Sequence, residues 1–127
     1  MKQEILFRGK SINSNEWIES MTVAKGTIKR KSDCVYLSIG DDAWRGVKPE
    51  TVGMFSTIYD KKGMRIFDGD LFKLGAEKGV FEVRFEHGCF LAYKKGKQFG
   101  LVGELQICFI DVVGNIFDTP ELLAAAN

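Results

Sequence analysis

Phe81-Glu82-Val83-Arg84-Phe85-Glu86 is the stretch on which the fold reading turns. Apolar and charged side chains alternate along it with a period of two. In an extended chain successive side chains point to opposite faces, so Phe81, Val83 and Phe85 share one face and the charged residues the other. A helix would scatter the same three aromatic and aliphatic groups around its axis. The stretch therefore predicts a half-buried β-strand. His87-Gly88 follows as a turn, and residues 89–93 return as the next strand.

The same pattern of short apolar runs and glycine-bearing turns extends in both directions. Toward the C-terminus, Lys94-Lys95-Gly96-Lys97 turns the chain, and residues 105–110 (LQICFI) and 112–117 (VVGNIF) predict further strands. Thr119-Pro120-Glu121 starts a short helix: Thr caps, Pro suits the first helical position, and Glu complements the dipole. Toward the N-terminus, Asp68-Gly69 is a turn before a short strand at 71–74, and Asp60-Lys61-Lys62-Gly63 is a tight turn. Residues 52–59 and 34–39 read as strands on their β-branched and aromatic content. Residues 5–8 form a short first strand. Residues 16–24 read as one strand with Trp17 as its anchor, Lys25-Gly26 and residues 30–33 as turns, and residues 40–50 as a loop with at most one helical turn.

Ten Phe, three Tyr and two Trp, with fourteen Gly against two Pro, suit pleated and half-buried surfaces joined by many turns. A chain of 127 residues fits one domain, 1–127. The fold expected is mainly β: a small antiparallel barrel or sandwich-like single domain with a short C-terminal helix. Hydrophobic residues at 45% and charged residues at 28% are enough for a core that needs neither metal nor disulfides. Cys34, Cys89 and Cys108 are odd in number, lack a CxxC pair and lie in apolar runs. They read as buried, reduced thiols, with one disulfide plus one free thiol as the alternative. The opening residues lack the apolar core of a secretion signal, and no run reaches the ~20 residues that span a bilayer. The expectation is a cytoplasmic protein with no membrane partner.

Eighteen Lys and Arg balance seventeen Asp and Glu, a net charge of +1. That balance lacks the basic excess usual in a nucleic-acid binder, but it leaves room for a local patch. Lys29-Arg30-Lys31 and Lys94-Lys95 with Lys97 are the candidate nucleic-acid contacts, the latter flanked by Tyr93 and Phe99 on which bases could stack. The competing reading is that these lysines solubilise hairpin tips and protect sheet edges. Asp68 and Asp70, with Asp60, could hold Mg²⁺ for phosphoryl chemistry; turn formation explains the same residues with less. His87 is the only histidine, and no nucleophile motif accompanies it. Trp17 reads as core. Trp44, between Asp41-Asp42 and Arg45-Gly46, reads as an exposed partner contact. No phosphate loop, dinucleotide fingerprint or zinc spacing occurs, so no cofactor is expected.

Several segments together resemble the YopX family of phage and prophage proteins. Residues 4–9 (EILFRG) resemble its "IKFRAW"-like opening. Residues 54–63 (MFSTIYDKKG) resemble "QYTGLKDKNG", and 65–73 (RIFDGDLFK) resemble "EIYEGDIVK". Residues 113–123 (VGNIFDTPELL) resemble the closing "VIGNIYENPELL". Two departures stand out. The opening ends in Gly9 instead of an aromatic pair. Ser56-Thr57 stands where the family carries Thr-Gly, so that position need not take positive φ here. The resemblance implies a small β-rich fold in bacterial phage or prophage genomes and no assigned activity. The functional expectation is a non-enzymatic accessory protein of the bacterial host cytoplasm that binds a protein partner or self-assembles as a homo-oligomer. Nucleic-acid binding on a small β-barrel is the alternative, and a metal-dependent phosphoryl-transfer enzyme is less favoured.

Overall fold

Antiparallel strands dominate the computed structural model, which describes residues 4–28, 31–41 and 43–126, with side chains at 25–28, 31–34 and 125–126 left out. The chain divides into two units, Met1–Phe55 and Ser56–Asn127.

In the first unit, β1 (Phe7–Lys10) pairs with β2 (Trp17–Ser20), Phe7 opposite Ser20 and Lys10 opposite Trp17. The expected strand 16–24 is broken after Ser20. Its hydroxyl accepts the Thr22 amide at 3.0 Å and donates to the Thr22 carbonyl at 3.1 Å, a local turn that competes with the sheet ladder. The chain resumes as β3 (Val23–Ile28), in which Lys25 and Gly26 pair regularly with Val35 and Cys34 instead of turning, and the register shifts only between Gly26 and Ile28. β4 (Lys31–Gly40) and β5 (Ala43–Val47) complete a sheet ordered β3-β4-β5. The stretch 40–50 is thus largely strand, with one helical turn at Pro49–Thr51. Its polar and glycine content masked a strand held on both sides: by β4, and by the Ile12 amide on the Gly46 carbonyl and the Lys48 amide on the Lys10 carbonyl. β1 passes so close to β5 that a Cβ on Gly9 would lie 2.9 Å from Val47. A residue larger than Gly would force the strands apart.

β6 (Gly53–Tyr59) begins beside β1, Met54 opposite Phe7, and carries the chain into the second unit, where its end neighbours β7 (Arg65–Phe67). Thr57 in β6 has φ +69°, so the position takes positive φ even though the sequence, lacking a glycine there, does not require it. The Ser56 hydroxyl accepts the Ile58 amide at 3.1 Å and closes a tight turn around Thr57.

A five-stranded sheet follows, ordered β11-β10-β9-β8-β12: β8 (Asp70–Leu74), β9 (Phe81–Glu86), β10 (Cys89–Lys94), β11 (Lys97–Leu101) and β12 (Ile110–Asn115). The sheet is open, with β11 and β12 at its edges. None of the sheets closes into a barrel among the described residues. Phe81 and Val83 are fully buried, as their alternation predicts, against Phe72, Ala92, Ile110 and Ile66. Phe72 and Phe81 stack with ring centres 5.3 Å apart. Phe85, at the end of the strand, is 38% exposed. Two hairpins turn through two residues of positive φ, His87-Gly88 (52°, 79°) and Lys95-Gly96 (53°, 75°), the conformation whose twist matches the flanking strands.

The helix α1 (Glu121–Ala126) closes the chain. Thr119 does not cap it as expected. Its hydroxyl instead accepts the Asn115 amide and donates to the Asn115 carbonyl, both at 3.1 Å. The Asn115 carboxamide oxygen accepts the Phe117 and Asp118 amides, so the turn before α1 is built on Asn115.

Candidate functional site

Residues 105–110 were expected as a strand, yet β12 begins only at Ile110. Val102–Glu104 and Ile107–Phe109 are single turns of 3₁₀ helix, closed by Leu105 N–H on the Val102 carbonyl and Phe109 N–H on the Gln106 carbonyl. A short apolar run cannot be assigned by periodicity alone, and here tight i→i+3 closure wins. The consequence is exposure. Ile107 is 49% and Phe109 50% accessible, and Cys108 between them is exposed.

Of these, Phe109 borders a cleft of about 810 Å³ in the second unit, with Glu104, Leu105 and Gln106 beside it. Leu74, Leu105 and Phe109 supply its apolar lining; Glu77, Lys78, Lys94 and Glu104 supply both signs of charge. Gly75, with φ +52°, lets the chain bend beside Phe109: a Cβ there would touch the ring at 3.4 Å. The Gly75 amide donates to the Phe109 carbonyl at 2.9 Å, so the two walls are tied together.

Of the predicted nucleic-acid contacts, Lys29 and Arg30 lie outside the described residues, and Lys31 is the first residue of β4 in the first unit. Lys94, Lys95 and Lys97 do gather at one hairpin tip. Lys94, however, faces inward to the cleft: its ammonium lies 5.3 Å from the Phe81 ring centre and 3.8 Å from Glu77. Lys95 and Lys97 are exposed. Trp44 is 45% exposed on β5, in the first unit, where Ile12 packs over the neighbouring Gly46. Trp17 is half-buried, with the Arg8 guanidinium 4.5 Å and the Lys10 ammonium 5.8 Å from its ring centre.

The acidic residues serve the backbone. Asp60, 4% exposed, accepts the Lys62 and Met64 amides on Oδ1 and the Val112 amide on Oδ2, all within 2.9 Å. Asp70 accepts the buried Phe67 amide, and Asp68 the Phe85 amide. His87 is an exposed turn residue. Cys89 and Cys108 are exposed free thiols, against the expectation of burial; the Cys34 side chain lies outside the described residues.

The other face of the five-stranded sheet carries a polar cluster. Arg84 Nη2 lies 3.1 Å from Glu82 Oε1, and its guanidinium stacks 4.1 Å from the Tyr93 ring centre. The Tyr93 hydroxyl donates to Glu86. That bond holds the Tyr93 hydroxyl above its usual range, and the Glu82 bond does the same for Arg84. Each charge has its partner within the cluster, which suits a wet sheet face.

No curated protein matches the chain. Among solved structures, it is similar to protein yopX from Bacillus subtilis, with 18% identity, 93% of this chain and 95% of that one covered, and a TM-score of 0.57. Protein EF1440 from Enterococcus faecalis is similar at 20% identity, with 96% and 99% covered and a TM-score of 0.48. The family model described as YopX protein matches residues 6–124. With four ordered sequence segments, a like fold and a match over nearly the whole chain, this protein belongs to the YopX family.

Proposed function

We propose that this protein is a non-enzymatic accessory protein of phage or prophage origin, working in the bacterial cytoplasm by holding a macromolecular partner against the cleft at residues 105–109. The exposure of Ile107 and Phe109 beside an apolar-lined cleft carries this reading. Clustered apolar groups rimmed by charge mark contact surfaces on soluble proteins. Nucleic acid is the poorer fit. A phosphate backbone entering the cleft would meet Glu77 and Glu104, and Lys94 is already beside Glu77.

Affinity capture in bacterial cells carrying the gene tests the proposal. Wild-type protein should retain one defined species, a second differently tagged copy included, and Phe109→Glu should lose it. Equal recovery by both forms, or no retained species, would contradict it.

A further inference from the structure

Resting on the binding-module reading, we infer that the partner at this face is a second copy of the chain, related by a two-fold axis. A two-fold contact requires a surface that is its own complement. This one offers both halves of such a fit. Phe109, half exposed, lines the cleft of about 810 Å³ together with Leu74 and Leu105, and Ile107 is exposed on the same 3₁₀ turn, so the apolar groups a copy would present and those that would receive them lie on one surface.

The charges follow the same rule. Glu77 and Lys94 lie 3.8 Å apart and largely neutralise one another. Lys78 and Glu104 line the cleft with opposite signs and make no ion pair among the described residues. A partner of one sign would attract one and repel the other. A second copy turned through 180° can bring Lys78 of each chain to Glu104 of the other, and by symmetry that pairing would form twice. The net charge of +1 leaves little long-range repulsion between copies.

Sedimentation of the purified full chain over a range of concentrations is the test, with mass-mapped bismaleimide cross-linking beside it. The expected result is a reversible dimer with a Cys108–Cys108 cross-link. Phe109→Glu enters the contact twice and should weaken association roughly thirtyfold or more. Lys78→Glu and Glu104→Lys should each weaken it, and the double variant should restore it. Unchanged circular dichroism of each variant guards against misfolding. A monomer at every concentration overturns the inference, as does a dimer indifferent to Phe109→Glu or a double variant no better than the singles. A monomer that still loses a different captured species on Phe109→Glu would sink self-association while leaving the binding-module reading standing.

Discussion

Thr57 occupies a conformation that a β-branched residue adopts only under constraint, because its Cβ crowds the backbone at φ +69°. The Ser56 hydroxyl and the pairing of β6 on either side impose it. Thr57→Gly should therefore stabilise the protein by about 1 kcal/mol, read as a raised denaturant midpoint. Gly114 is the opposite case. It lies in the irregular part of β12, and a methyl group there would overlap Thr119 Oγ1 and press on Leu122. Gly114→Ala should cost about 2 kcal/mol or more in the same measurement. The family-like segment 113–123 gains a physical reason from this: Gly114 makes room for Thr119, whose hydroxyl holds the backbone of Asn115. Sequence alone revealed the segment but assigned Thr119 the wrong partner. Spacing shows which groups lie near a helix start, not which of two backbone amides a hydroxyl will choose.

At the scale of elements, the turn at 60–63 seals one edge of the five-stranded sheet. Lys61 N–H donates to the Ile110 carbonyl, Asp60 Oδ2 accepts Val112 N–H, and Lys62 Nζ reaches the Val112 carbonyl. An edge left open would template pairing with other chains. Asp60→Ala leaves three amides without their acceptor and should cost roughly 3 kcal/mol, with faster hydrogen exchange at Val112. The same turn makes stability respond to acid. The Lys62 ammonium, 2.7 Å from Asp111, holds that carboxyl below its usual range. A carboxyl depressed in the folded state stabilises fully above the unfolded value near ~3.9, and that contribution fades as pH falls through the lower folded value. Lys62→Gln should flatten the loss of stability seen below about pH 4 in urea titrations. The hairpins were legible because glycine in a two-residue loop has few alternatives. The break after Ser20 and strand β5 were not. Each depends on which hydrogen bonds distant segments offer, and local composition carries no trace of that.

For the molecule as a whole, the mainly antiparallel architecture was legible from alternation and turns, and family membership from ordered segments. The contact surface was not, because residues 105–109 look like core in a linear reading and become surface only when the chain closes into 3₁₀ turns. An apolar contact with few ion pairs should depend weakly on salt. Raising ionic strength from about 0.1 to 0.5 M should change self-association less than about threefold, where phosphate binding would fall steeply. The exposure of segment 105–109 is most directly read from the alkylation rate of Cys108 in dilute native protein, followed by peptide mass mapping. The thiol should react as readily as an unhindered one, well ahead of global unfolding, and slow as protein concentration rises. A Cys108 that reacts only as fast as the chain unfolds would place the segment in the core and contradict the account.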